Sequence, residues 1–215
     1  MSDHRVVVPG GEIYYRSEGS GPPLVLIGGG PSNADTLAAL AGELAPSRTV
    51  ITYDRRGYSR SRIDDPSQPA TMSLHANDVR DVIDDLGAGP ASVFATNLGA
   101  GTALNQIAES IGLNRGRSLT GARDRPEVRH DDVEIFIRRD VPAIAGYRLD
   151  LERIVSVAER IVVTASEEGR DFYPHRCAVA LAAALSTTLI ELPGNHAAMI
   201  SRPAEFAARL TPLLR

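Results

Sequence analysis

The residues from 91 to 99 read ASVFATNLG and give the clearest indication of the fold. The first six form a short, mainly apolar run, which is typical of a buried strand. The stretch LGAGTALNQIAESIG follows without a break and has the spacing of a helix. Asn97 therefore lies at the turn between a predicted strand and a predicted helix.

The same alternation of strands and helices continues on both sides of this segment. Strands are predicted in RVVVP and GEIYYRSEG, which form a hairpin, and in PPLVLIGGG, SRTVITYD, RIVVTAS and TTLIELPG. Helices are predicted in NADTLAALAGEL, SLHANDVRDVIDDLG, YPHRCAVALAAAL and PAEFAARLTPLL. This order predicts an α/β protein with a mostly parallel sheet and helices on both faces.

Residues from about 113 to 156 interrupt this order, and we expect a reduced lid insertion there within a single domain of residues 1–215. The first part is rich in arginine, and the second part predicts short helices. Two interpretations of the arginines stay open, a rim that recognises a carboxylate or a solvated loop. The arginines are Arg115, Arg117, Arg123, Arg125 and Arg129, and the acidic residues that nearly balance them are Asp124, Glu127, Asp131 and Asp132.

Composition excludes several classes of function. The net charge of −4 gives no basis for nucleic-acid binding, and no apolar run approaches the roughly 18 residues that a membrane span needs. The beginning, MSDHRVVVPGG, lacks an apolar signal segment, so we expect a cytoplasmic protein. All 23 basic residues are arginine, which excludes Schiff-base lysine chemistry and a Walker-type phosphate site.

Several motifs in chain order resemble the α/β-hydrolase superfamily. Residues 28–31, GGGP, are similar to its oxyanion loop, although Gly28 replaces the usual His. Residues 54–61, DRRGYSRS, resemble its D-x-R-G-x-G-x-S segment, with Ser59 at the second glycine. Residues 95–99, ATNLG, match the G-x-S-x-G elbow between a strand and a helix. The resemblance implies an α/β-hydrolase fold over nearly the whole chain, with a shortened lid.

The resemblance extends to the family's acid and histidine. Glu168 follows a predicted strand where the family keeps its acid, and PGNH at 193–196, followed by RPAEF at 202–206, matches the closing motifs. His196 is therefore the predicted catalytic base, oriented by Glu168. Glu167 and Asp171 are rival partners for the same histidine.

Asn97 takes the nucleophile position in this comparison. Its amide is neither basic nor nucleophilic, so we do not expect serine-type covalent catalysis and treat Asn97 as a vestigial nucleophile position. The resemblance implies that the oxyanion donors are the backbone N–H groups of Leu98 and of Gly29 or Gly30. A base that faces such donors suits removal of a proton next to a carbonyl, or activation of water.

No cofactor and no metal site are predicted. Four further histidines show no metal-ligand spacing, and we expect them on the surface or on helices: His4, His75, His130 and His175. A dinucleotide-binding interpretation of Gly28-x-Gly30 is disfavoured, because Asn33 replaces the third glycine and Pro31 has no N–H.

Three hypotheses of function remain at this point. The first is a non-hydrolytic proton-transfer enzyme of the epimerase or isomerase type, acting in an open cleft on a small natural product or a modified peptide. The chain is similar in this respect to noncanonical hydrolase-fold proteins of actinobacterial natural-product pathways, which include a peptide epimerase of bottromycin biosynthesis. The second is an atypical hydrolase in which His196 activates water towards an ester or lactone. The third is a binding protein for a small molecule or peptide, without catalysis.

Overall fold

The structure is a computed structural model that describes residues 1–96 and 129–214. Two sets of predictions fall outside these ranges. They are the helix predicted after Asn97, together with Asn97 and Leu98 themselves, and the arginine-rich first part of the insertion.

Eight strands are described; seven of them correspond to predicted strands, and the short β5 was not predicted. They are β1 Ser2–Val8, β2 Gly11–Glu18, β3 Pro23–Ile27, β4 Thr49–Tyr53, β5 Arg62–Ile63, β6 Ser92–Ala95, β7 Thr164–Ser166 and β8 Ile190–Leu192. Strand β7 is shorter than predicted, because residues 158–160 form a 3-10 turn and only residues 164–166 pair with β8.

The larger sheet has the order β1-β2-β4-β3-β6, and β5 pairs with β2. Its centre is parallel, since β3 pairs in parallel with both β4 and β6. The opening hairpin is antiparallel and joins this centre through an antiparallel β2–β4 pairing. Strands β7 and β8 pair in parallel as a separate two-stranded sheet. The predicted parallel core is thus confirmed, with an antiparallel edge.

The described helices alternate with the strands as the sequence predicts. They are α1 Ala38–Leu44, α2 Met72–Asp85, α3 His130–Ile135, α4 Val141–Gly146, α5 Leu151–Val155, α6 Tyr173–Ala184, α7 Ala198–Ser201 and α8 Pro203–Leu210. A short π-helix, Phe136–Asp140, joins α3 to α4. Within the described ranges, none of the helices combines the length and the apolar character that crossing a bilayer requires.

The core lies on both faces of the larger sheet, because successive strand residues point to opposite sides. Leu24 and Leu26 of β3 pack with α1, β8 and α8 on one face. Val25 and Ile27 of the same strand pack with the hairpin and with α2 on the other. Both faces are therefore covered by helices, and the loops that follow the parallel strands are left at one edge of the sheet.

A third apolar cluster supports the end of the insertion. Ile154 of α5 is fully buried against Val163, Ala182 and Leu185. The described part of the insertion therefore forms short helices, as predicted, and its last helix is anchored beside β7 and α6.

Candidate active site

The glycine loop after β3 is held by side chains on both sides. Gly30 has a φ of +57°, a left-handed conformation that favours glycine. Its carbonyl oxygen accepts a hydrogen bond from the Arg55 guanidinium. The loop ends at Asn33, whose Oδ1 accepts the N–H groups of Asp35 and Thr36 at 3.1 and 3.2 Å and so caps the following turn.

Asp54, which follows β4, connects the end of the glycine loop to the loop that follows β4. The residue is fully buried, and its Oδ1 accepts the N–H of Ala34 at 2.8 Å. The same carboxylate accepts three hydrogen bonds from Arg60, including one from Nε at 2.6 Å. Asp54, the first residue of the DRRGYSRS motif, therefore helps to fix the position of the loop that carries Gly29 and Gly30.

Ser59 adopts the backbone conformation that the family's second glycine would favour, with a φ of +46°. Asp132 of α3 accepts its N–H at 2.7 Å and also its hydroxyl proton. The Ser59 oxygen in turn accepts a hydrogen bond from the Asn33 amide at 3.0 Å. Asp132 is buried, so its interpretation as part of a solvated, charge-balanced loop is wrong. It docks the insertion next to the glycine loop.

A second aspartate of the insertion, Asp140, is also buried. Its carboxylate accepts the Tyr58 hydroxyl at 2.6 Å and lies 3.1 Å from Nη1 of Arg55. His75 Nε2 is 3.3 Å from the other carboxylate oxygen. Burial raises the pKa of Asp140, but the hydrogen bond from His75 and the charge of Arg55 outweigh it and bring the pKa to about 2.

The sequence patterns did not predict this network, which we call the lid anchor and which consists of Arg55, Tyr58, His75 and Asp140. The expectation for His75 was a surface or helix position, and the residue is on α2 but buried, so a surface position is wrong. A signal was present: His75 and Asp78 share the helical spacing of Val79 and Val82, which are buried. For Asp140 we find no local pattern that predicts its partners.

The loop after β8 presents His196 at a tight turn. Gly194 has a φ of +81°, and a Cβ there would lie 2.8 Å from the Cβ of Ala198. Asn195 Oδ1 accepts the N–H of Ala197 at 2.9 Å, which fixes the turn before α7. His196 is exposed.

Glu168 lies beside this turn, because its N–H donates to the Gly194 carbonyl oxygen at 3.1 Å. Its carboxylate accepts a hydrogen bond from Arg202 at 3.1 Å, and about half of each of these side chains is exposed. Arg202 is thus a partner that the sequence did not suggest. The rivals Glu167 and Asp171 are both exposed. The pairing of a carboxylate with His196 stays a prediction.

The remaining site predictions concern the elbow. Strand β6 ends at Ala95, and the N–H of Thr96 donates to the Ile27 carbonyl oxygen at 3.1 Å, which sets the start of the elbow beside the glycine loop. Asn97 and Leu98 lie outside the described residues. Among the residues described, no three His, Cys, Asp or Glu side chains are grouped so that they could hold a metal ion.

Comparisons with known proteins agree with this architecture. An uncharacterised hydrolase of Bacillus subtilis (strain 168), YraK, is 28% identical over 254 aligned positions that cover 96% of this chain and 94% of that protein. The alignment is longer than the 215 residues of this chain, so the relative carries segments that have no counterpart here. No protein-family model matches the sequence.

Two solved structures are similar over almost their whole length. An α/β hydrolase from Sphaerobacter thermophilus DSM 20745 superposes with a TM-score of 0.71 at 22% identity, covering 94% of this chain and 99% of its own. The enol-lactonase from Burkholderia xenovorans LB400 has a TM-score of 0.70 at 17% identity, covering 97% and 98%. Strand order, loop positions and these superpositions together show that the chain has the α/β-hydrolase fold.

Proposed function

We propose that this protein is an enzyme that removes a proton next to a carbonyl group of a small molecule or modified peptide, without forming an acyl-enzyme. One observation carries the proposal: His196 stands at the family's base position, while an amide, Asn97, stands at the nucleophile position. An imidazole can accept a proton near neutral pH, whereas an amide cannot attack a carbonyl. The enolate then takes up a proton from the His196 imidazolium or from water, which completes a reaction of the epimerase or isomerase type.

Each predicted site residue has a separate role in the proposed reaction. His196 accepts the proton, and Glu168 or one of its acidic neighbours orients the imidazole and stabilises its protonated form. Backbone N–H groups of Gly29 or Gly30 and of Leu98 donate to the enolate oxygen that develops when the proton leaves. Two hydrogen bonds support the proposal, since oxyanion donors act only when their position is fixed. Arg55 donates to the Gly30 carbonyl oxygen, and the Ala34 N–H donates to Asp54.

Hydrolysis is the second candidate, and the relatives favour it. YraK is named a hydrolase, and one solved structure of the same fold is an enol-lactonase. In this reaction His196 removes a proton from water, and the resulting hydroxide attacks an ester or lactone carbonyl, while the same backbone donors stabilise the tetrahedral oxyanion. The intermediate then breaks its bond to the alcohol oxygen, which takes the proton from the His196 imidazolium. Asn97 would then serve only as a hydrogen-bonding group.

One experiment separates the candidates. The protein is incubated in deuterated water with simple lactones, nitrophenyl esters and short peptide esters, and each sample is analysed by mass spectrometry for deuterium on carbon and for hydrolysis. We expect deuterium next to the carbonyl of a recovered substrate. His196→Ala should slow the exchange about a hundred-fold or more, and His4→Ala, on β1 of the opening hairpin, should leave it unchanged.

Each other outcome has a definite meaning. Hydrolysis that depends on His196, without exchange into recovered substrate, replaces proton transfer by water activation. Exchange or hydrolysis that persists in His196→Ala overturns the role of this residue in both candidates. Saturable binding without any product shows a binding protein and ends the enzymatic proposal.

A further inference from the structure

An open pocket of about 980 Å³ lies between residues 66–71, which precede α2, and the part of the insertion that begins at residue 131. We call it the lid pocket. Of the predicted catalytic residues that the structure describes, none lines it. Its volume lies within the range of small-molecule sites, which are mostly apolar with a few convergent polar groups.

The walls of the lid pocket are of two kinds. One part is apolar and comes from both sides of the cleft: Pro66, Pro69, Ala70, Ile135, Pro142 and Ala143. The other part contains three arginines, Arg138, Arg139 and Arg148. A ligand with an apolar body and a charged end would therefore find both surfaces within one cavity.

The described lining residues carry more positive than negative charge, although the net charge of the whole protein is −4. Among them are three arginines and two carboxylates, Asp131 and Glu134. Glu134 lies 3.0 Å from Arg138 in an exposed pair, in which 76% of the arginine side chain is accessible, and such pairs contribute little. An entering anion can replace Glu134 at small cost.

Arg139 connects the two walls of the lid pocket. Its Nη2 donates to the Gln68 carbonyl oxygen at 3.0 Å, which ties the insertion to the loop on the opposite wall. Its Nε is buried and has no hydrogen-bond partner among the described residues. Arg148 is exposed on the same cavity. A planar carboxylate matches the paired N–H groups of a guanidinium better than a spherical anion does.

We propose that the lid pocket binds an organic carboxylate with an apolar body, which the guanidinium groups of Arg138 and Arg148 hold at its charged end. The proposal does not depend on the catalytic role of His196. The sequence suggested that the arginines at 115–129 recognise a carboxylate. The proposal assigns this recognition to two other arginines, one before α4 and one after it.

The test uses 2-naphthoate as the probe and follows its fluorescence anisotropy, because the chain contains no tryptophan that would interfere. We expect saturable binding that weakens about tenfold or more in an Arg138→Gln/Arg148→Gln variant. Glu134→Gln should tighten binding a few-fold, since it removes the competing carboxylate. Arg153→Gln, an exposed arginine on α5, is the matched control and should change nothing.

The neutral analogue 2-naphthalenemethanol decides whether charge is recognised. We expect it to bind at least about tenfold more weakly than the carboxylate. Equal binding of the alcohol and the acid, or equal binding of the acid to the double variant, would show an apolar pocket only and overturn the proposal. Absence of naphthoate binding at millimolar concentration would overturn it as well.

Discussion

Gly28 lies where the family usually carries a histidine, and Ser32 has taken the space next to it. A Cβ at Gly28 would lie 2.9 Å from the Cβ of Ser32 and still closer to its hydroxyl. The two residues therefore depend on each other: the loop turns tightly because the first position has no side chain. This contact lies in the same loop as Gly29 and Gly30, the predicted oxyanion donors.

We predict that Gly28→Ala lowers the free energy of unfolding by about 1–3 kcal/mol through this overlap. Adding Ser32→Gly should recover part of the loss, because it removes the atoms that the new Cβ meets. Gly42→Ala is the contrast, since Gly42 lies on α1 with open space around it, and it should stabilise by about 0.5–1 kcal/mol. Urea unfolding measures all four proteins. If Ser32→Gly gave no recovery, the overlap would not be the cause.

Asn97→Ser tests whether the nucleophile is the missing part of a hydrolase site. If His196, the acid and the oxyanion donors are in place, the new hydroxyl completes the triad, and nitrophenyl ester hydrolysis should rise at least about ten-fold above that of the parent protein. His196→Ala in the same background should remove the gain. An inert Asn97→Ser protein that remains folded would show that more than the nucleophile has been lost.

At the scale of elements, the insertion is attached to the core through two buried aspartates, Asp132 and Asp140. Asp132 accepts a hydrogen bond from Ser59. Asp140 forms an ion pair with Arg55 and accepts a hydrogen bond from Tyr58. Arg55 also bonds to Gly30, so one guanidinium connects the insertion with the glycine loop. The position of the predicted oxyanion donors should therefore depend on whether the insertion is docked.

We predict that Asp140→Asn destabilises the protein by about 3 kcal/mol, because it leaves the buried Arg55 without a counter-charge. Limited proteolysis should then cut the insertion at lower protease concentration than in the parent protein. Asp131→Asn, an exposed neighbour on α3, should change the stability by less than about 0.5 kcal/mol. Equal protease resistance of Asp140→Asn and the parent protein would show that the lid anchor does not hold the insertion.

The lid anchor also predicts that the stability of the protein depends on pH in the acidic range. The pKa of Asp140 is about 2 in the folded protein against an ordinary value of 3.8, so the folded state favours the charged form. Its contribution, about 2 kcal/mol, is complete above about pH 4 and is lost as the pH falls towards 2. The difference in unfolding free energy between the parent protein and Asp140→Asn should shrink over this interval. A constant difference would contradict the low pKa.

Local patterns predicted the elements of this chain well, and the reasons are physical. Leu24 to Ile27 form a continuous apolar run because both faces of β3 are covered, and α2 shows its buried stripe through Val79 and Val82. The turn at Gly194 could also be predicted, because a Pro-Gly pair typically follows the end of a strand. In each case the signal lies within a few neighbouring residues.

The contacts of the lid anchor could not be predicted from local patterns, because the partners are far apart in the sequence. Arg55 and Asp140 belong to different elements, and nothing near Asp140 distinguishes it from the exposed Asp131. Only the folded chain shows which carboxylate is buried. The Glu168–Arg202 pair was missed for the same reason, since the motifs that contain these two residues do not specify their contacts.

At the scale of the whole molecule, one apolar cluster connects the beginning and the end of the chain. Phe94 of β6 meets Phe206 of α8 edge to face, with ring centroids 5.6 Å apart. The same cluster contains Leu24 of β3 and Leu192 of β8. The larger sheet and the two-stranded β7–β8 sheet therefore share a core, which is why we expect a single folding unit although the strands form two sheets.

This expectation has a direct test in Phe206→Ala. The side chain is 5% exposed, and its removal should cost about 3–4 kcal/mol. If the chain is one cooperative unit, the opening free energy measured by amide hydrogen exchange should fall by a similar amount in β3 and in β8. Strand β3 lies far from Phe206 in sequence. Phe172→Ala, which removes a ring that is 59% exposed, should leave exchange in both strands nearly unchanged. Retained protection in β3 alongside lost protection in β8 would instead show two units that unfold separately, and the single-domain expectation would then be wrong.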